Sequence, residues 1–313
     1  MKASLESGCN FWNAGEFYGT PEYNSLHLIE RYFTKYPEDA PKVVLSIKGG
    51  LNNNMVPDGS PEGIRRSVDN CLALLKGKKS IDIFEMARVD KNTPLETTFK
   101  TLEEYVKAGK IGGIALSEVN ETTIKKAVGI TKIVAVEVEV SLFTTHIFDN
   151  GVAAACAEHN IPIVAYSPLS RGFLTGELKS PDDIPEGDFR KTIPRFQPEN
   201  FHVNLEIVDE VKKLAKQKGY TTPQIAINWV RCQSKKVSLP MWFLDLGTDT
   251  HTLQNGNPEI YPIPGATTEE RVRENAKIVD LSDAEMAEFD AILKKFQVAG
   301  MRYPAYAMGH VDA

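Results

Sequence analysis

The sequence predicts an α/β fold in which parallel strands close into a barrel, and three observations carry that expectation. Short β-branched runs alternate with stretches of helical period, which implies parallel strands joined by crossover helices. No GxGxxG follows any of those strands, so the doubly wound alternative lacks its phosphate-binding turn. One strand also alternates strictly, in a way that suits a barrel with a polar mouth.

The elements follow in order. NFWNA (10–14) is the first strand, and a stretch of helical period runs over 24–36. KVVLSIK (42–48) leads into a helix over 61–75, and SIDIFEMA (80–87) into one over 94–110 that Gly109-Lys110 closes. IGGIALS (111–117) precedes a helix that opens at Asn120-Glu121 and runs to 130. IVAVEVEVS (133–141) precedes a helix over 150–160, and IPIVAYSPL (161–169) and EIYPIPG (259–265) bring the strand count to seven. Within 133–141, Val134, Val136, Val138 and Val140 share one face; Ala135, Glu137, Glu139 and Ser141 share the other. In a barrel those valines pack on the outer helices and the glutamates point inward. Two inward carboxylates are costly in an inert core, so a functional mouth is expected at this end.

Bulk properties narrow the function. With 42% hydrophobic and 25% charged residues, the 313-residue chain can bury an ordinary core, and one domain over 1–313 is expected. A net charge of −6 offers no basic surface for nucleic acid. No apolar run approaches the roughly 18 residues of a membrane span, and MKASLESGCN has no signal-peptide core. Cys9, Cys71, Cys156 and Cys232 form no CxxC pair and read as reduced thiols of a cytoplasmic protein. The histidines show neither HxxxH nor HxH spacing, so no metal site is expected.

Five segments resemble, in order and at suitable spacing, the aldo-keto reductase family. They are NFWNAGEFYG, the lysine ending VVLSIK, IALSEVNE, AYSPLSRGFLTG and PIPGATTEERVRENA, within a likeness that runs from residue 3 to about 303. NAGEFYG, ARVD and FLTG look most like the pyridoxal reductase branch. The resemblance implies a (β/α)8 TIM barrel that binds NADPH at its C-terminal mouth. It implies an NADP-dependent oxidoreductase that reduces a small carbonyl substrate, an aldehyde or ketone, with pyridoxal to pyridoxine as the leading reaction. A monomer or weak homo-oligomer is expected.

Such a reduction needs a hydride at carbon and a proton at oxygen. Tyr18 follows one strand and Lys48 ends the next, so both reach the same mouth. Tyr18 is assigned as proton donor and Lys48 as the cation that lowers its pKa. The resemblance further implies that Tyr166 stacks on the nicotinamide, that Ser167, Leu169 and Gly172 follow the pyrophosphate, and that Ser117 and Glu137 hold the carboxamide. Gly265 belongs to the PIPG turn of the same site. Arg271 matches the residue that grips the 2′-phosphate, for which a guanidinium is well suited, and Glu274 and Asn275 match the adenine side.

The chain departs from the family pattern at several positions. Asn13 stands where the family pairs an aspartate with the lysine, and Ala87, followed by Arg88, stands where it has a histidine. Glu118 and Glu137 replace the family's asparagine and glutamine. Asn13 can hydrogen-bond Lys48 without neutralising it, and Glu85, of the same parity as Ala87, is expected either to supply the lacking carboxylate or to be a solvated barrel glutamate. Asn13 and Ala87 also leave open a nucleotide-binding regulatory subunit of the type that serves potassium channels, and an inactive product of a damaged gene model.

Two further features are unexpected for the family. Its barrel has eight strands, and MKASLESG reads as the tail of a first helix whose unit, about 30 residues, would precede this chain. VSLPMWFLDLGTDTHTLQ (237–254) matches no family element and reads as a translated intron or as a surface insertion.

Overall fold

The computed structural model describes residues 1–234 and 257–311. Its seven strands are β1 (Phe11–Gly15), β2 (Val44–Gly49), β3 (Ile81–Met86), β4 (Ile111–Ser117), β5 (Ile133–Glu139), β6 (Ile163–Tyr166) and β7 (Ile260–Ile263). Each pairs in parallel with its sequence neighbour, giving one sheet in the order β1 to β7. That is the α/β barrel expected from the alternation.

The helices form where apolar spacing and caps agree. Helix α1 (Lys2–Glu6) precedes β1, and α2 (Ser25–Lys35) follows it. Asn24 caps α2 by accepting from the amides of Leu26 and His27, which satisfies donors that a helix start leaves free. Leu26, Ile29 and Phe33 then lie on one buried face. Phe33 stacks on Trp12 of β1 with ring centroids 5.6 Å apart, which holds the helix against the outer face of the strand. Phe33 is fully buried, so Phe33→Ala would cost roughly 3–5 kcal/mol.

Helices α3 (Pro61–Leu75), α4 (Leu95–Lys107), α5 (Glu121–Val128) and α6 (Val152–Glu158) cross between successive strands as expected. After β6 the chain forms α7 (Pro198–Lys218) and α8 (Thr222–Cys232), and after β7 it forms α9 (Glu269–Asn275) and α10 (Asp283–Lys295). Helix α7 is an addition to the elements expected above, although its buried Phe201, Asn204, Ile207, Val208, Val211 and Ala215 carry helical spacing.

Inward parity builds the barrel floor from Phe11, Ile83, Ala115, Ala135 and Val164, one from each of five strands. Val136, Val138 and Val140 pack outward into the main core, while Glu137 and Glu139 are buried on the other face. Among the described residues, β1 and β7 pair only with β2 and β6, and a cleft of about 840 Å³ lies between them. The segment 237–254 lies outside the described residues.

Candidate active site

One step above the apolar floor, the inward positions become charged. Register places Lys48 of β2 beside Glu85 of β3, and both are buried, as is Glu137 of β5. The Lys48 ammonium donates to Glu85 Oε1 at 2.6 Å and also ion-pairs with Glu137 Oε1. Asn13 Nδ2 donates to Glu137 Oε2 at 2.7 Å and to Glu85 Oε1 at 3.2 Å. Asn13 therefore bridges the two carboxyls that surround the lysine.

One cation facing two buried carboxyls leaves a proton to be shared. Burial, together with the neighbouring Glu85 carboxylate, holds the Glu137 carboxyl well above its ordinary range despite the pull of Lys48. Burial works against the Lys48 charge, yet Glu137 and Glu85 outweigh it and hold the lysine above its ordinary value. The lysine stays charged between the two carboxyls, and Glu137 holds a proton more tightly than an ordinary carboxyl.

Tyr18 sits above this cluster, in the turn after β1. Its amide donates to Gly15 O at 3.1 Å, and its ring packs edge-on to Phe17 with centroids 5.0 Å apart. A Cβ on Gly15 would stand 3.1 Å from the Tyr18 ring, so the glycine lets the phenol lie close over the strand end. Burial pushes the Tyr18 phenol up to about 12, with Lys48 pulling it down and Glu137 and Glu85 pushing it up. Tyr18 is 42% exposed, so solvent screens part of that rise. Lys48 lowers the phenol as expected, but burial outweighs it, with Glu137 and Glu85 adding to the rise. Tyr18 is thus held as a protonated donor.

A cavity of about 570 Å³ joins these groups to the expected cofactor residues. Asn13, Tyr18, Lys48 and Glu137 line it together with Tyr166, Ser167, Leu169, Gly172, Gly265, Arg271, Glu274 and Asn275. Left-handed backbone at Ser167 (φ 52°), Ser170 (φ 49°) and Arg171 (φ 54°) folds the loop after β6 into a tight turn along its wall. Ser117, at the end of β4, is not among the lining residues, but its buried hydroxyl has no hydrogen-bond partner among the described residues. Arg271 lies in the first turn of α9, and its guanidinium contacts both Glu177 oxygens at 2.9 Å. Both partners are about half exposed, so an incoming anion can displace the pair. An orphaned hydroxyl at the end of β4, a tight turn along the cavity wall and an exchangeable guanidinium fit a nicotinamide dinucleotide.

The two glutamates that replace the family's amides behave differently from the expected carboxamide ligands. Glu137 has both oxygens engaged, by Lys48 and Asn13. Glu118 pairs with Arg302 at 2.7 Å and accepts the Glu139 amide at 3.0 Å. Around them lies a network that sequence spacing did not single out. Arg171 bonds Glu139 at 2.9 Å, and the Tyr303 hydroxyl meets that of Tyr166 at 2.9 Å. Arg302 and Tyr303 come from the chain after α10 and carry no periodic signal; only the aromatic–basic pair in MRYP marks them.

The sequence profile of the aldo/keto reductase family matches residues 1–294, and the chain belongs to that family. It is 39% identical to the probable pyridoxal reductase 2 of Schizosaccharomyces pombe, over 97% of this chain and 87% of that protein. It is 38% identical to a putative pyridoxal reductase of Saccharomyces cerevisiae, over 94% of this chain and 84% of that one. Another relative, the NADP(+) aldo-keto reductase yakc of Schizosaccharomyces pombe, is 36% identical over 96% of this chain and 83% of its own. Among solved structures, the glycerol dehydrogenase of Gluconobacter oxydans superposes with a TM-score of 0.76 at 23% identity, covering 96% of this chain and 85% of that one, which shows the shared fold.

Proposed function

We propose that the protein is an NADPH-dependent carbonyl reductase of the cytoplasm that converts a small aldehyde to its alcohol, with pyridoxal to pyridoxine as the specific reaction. The observation that carries this reading is the single cavity shared by Tyr18, Lys48, the Ser167–Gly172 turn and Arg271. The two relatives whose names include pyridoxal reductase support the substrate, and the one named with NADP(+) supports the cofactor.

When bound here, NADPH would supply the hydride for the carbonyl carbon. Arg271 would leave Glu177 for the 2′-phosphate, and Tyr166 would offer its ring to the nicotinamide, with the Ser167–Gly172 turn beside the pyrophosphate. The Ser117 hydroxyl, without a partner among the described residues, would go to the carboxamide. Tyr18 donates its proton to the carbonyl oxygen as the C–H bond forms, leaving the alcohol. The buried Lys48 cluster lines the same cavity as Tyr18.

Purified protein supplied with NADPH and pyridoxal should lose absorbance at the reduced nicotinamide band and form pyridoxine in equal amount. Tight NADPH binding without consumption, across a panel of small aldehydes, would instead favour a nucleotide-binding regulatory role.

A further inference from the structure

The carbonyl oxygen needs more than Tyr18. As negative charge builds on it, a second donor aimed at the same point typically contributes 10²–10³ in rate. Ala87, at the end of β3, has no group to offer and is buried. Lys48 is spent on Glu85 and Glu137. Glu137 is held on its neighbours, and Asn13 donates into the same carboxyls.

Arg88 is different. It lines the same cavity as Tyr18, Asn13 and Lys48. Of the three arginines on that cavity wall, Arg171 is paired with Glu139 and Arg271 with Glu177, whereas Arg88 makes no ion pair among the described residues. Its guanidinium donates to the Ala87 carbonyl and to the Tyr303 hydroxyl at 3.4 Å, which anchors the fork and leaves the remaining N–H groups of its five unspent. Burial works against its charge, but Tyr166, Tyr303 and Glu118 outweigh that effect and keep the half-buried guanidinium charged, so its remaining N–H groups can meet a developing oxyanion.

We propose that Arg88 is a catalytic residue of the carbonyl reduction, donating to the substrate's carbonyl oxygen beside Tyr18 in place of the side chain that Ala87 lacks. This rests on the reductase reading above. The groups facing Tyr18 are Lys48 from β2, Glu85 and Arg88 from β3 and its end, and Glu137 from β5. Those facing Arg88 are Glu118 after β4, Tyr166 of β6, and Arg302 and Tyr303 of the tail. Lys48 is the larger of the two cations that draw the phenol down, and Arg88 adds a smaller pull in the same direction.

The test replaces the cation and reads both the rate and the phenol. Arg88→Met should lower kcat for pyridoxal about 100-fold while NADPH affinity, read by fluorescence quenching, changes less than about twofold. With 3,5-difluorotyrosine in place of Tyr18, whose phenol titrates in an accessible range, its ¹⁹F titration without NADPH should move up by about one pH unit in Arg88→Met. Arg88→Lys, which keeps the charge, should leave that titration near its original midpoint. Arg88→Gln, still able to donate to the Ala87 carbonyl, repeats the test should the methionine variant lose its cooperative melt. A kcat within about threefold of the original protein overturns the proposal, whatever the titration does. So does a lowered kcat with an unmoved titration, which would mark a packing role. Failure of the unsubstituted chain to reduce any carbonyl sinks the reductase reading, and this proposal with it.

Discussion

Lys48 and Glu85 face each other across neighbouring strands as a buried ion pair 2.6 Å long, with Glu137 closing on the same ammonium from β5. This arrangement replaces the single aspartate of the family pattern with two carboxyls and an asparagine bridge. It makes the cluster redundant in charge, and redundancy has measurable consequences.

Removing either carboxyl alone should be tolerated, because the other remains to pair the lysine. Glu85→Gln and Glu137→Gln are each expected to lower stability by no more than about 1 kcal/mol, whereas the double substitution strands the ammonium and costs roughly 3–5 kcal/mol. Denaturant melts of the three variants read this directly. Additive small losses would show that Lys48 does not depend on these two groups.

The proton on Glu137 gives stability a pH dependence of known sign. A carboxyl whose folded pKa is raised contributes fully below its unfolded value and loses that contribution as pH rises through the folded value. Melting temperature should therefore fall as pH rises above the ordinary carboxyl range toward the raised folded value, by an amount that Glu137→Gln, which mimics the protonated form, removes. Identical pH profiles for the two proteins would contradict a protonated Glu137.

Arg271 should read the 2′-phosphate and little else. Arg271→Ala is expected to weaken NADPH binding by roughly 2 kcal/mol and leave NADH nearly unchanged. Glu177→Gln frees the guanidinium and should tighten NADPH binding slightly, since an exposed pair is worth less than about 1 kcal/mol. Equal losses for both nucleotides in Arg271→Ala would remove it from the phosphate site.

The strands and their inward residues were legible in the sequence because a period of two fixes which side chains share a face. Glu85, Glu137 and Lys48 could be placed inside the barrel on that basis, and Glu85 could be suggested for the lysine. Partnership was harder. Glu137 lies three strands from Lys48, and parity says nothing of which inward groups meet across a lumen. The rise in the Tyr18 pKa was equally hidden, since it follows from burial and from the Glu137 and Glu85 carboxyls rather than from any local motif. Arg302 and Tyr303 reach the site through the path of the tail, which leaves no periodic trace. Helix α7 was legible in principle, since Phe201, Val208, Val211 and Ala215 keep helical spacing amid many charges.

The cleft between β1 and β7 makes a prediction of its own. Phe11, Trp12, Ile29, Ile227, Ile260 and Ile263 border it, and strand edges without a further partner among the described residues invite association. The 313-residue chain is expected to bind a hydrophobic dye and to self-associate with concentration. A monodisperse, dye-silent preparation would mean that the cleft is covered in solution.

Tyr18→Phe tests the central claim most directly, because it removes one oxygen and leaves the ring. NADPH affinity should persist while kcat for pyridoxal reduction falls by about 10² or more, the scale of a lost general acid. Near-native turnover in that variant would show that the proton comes from elsewhere, and the role given to Tyr18 would fall.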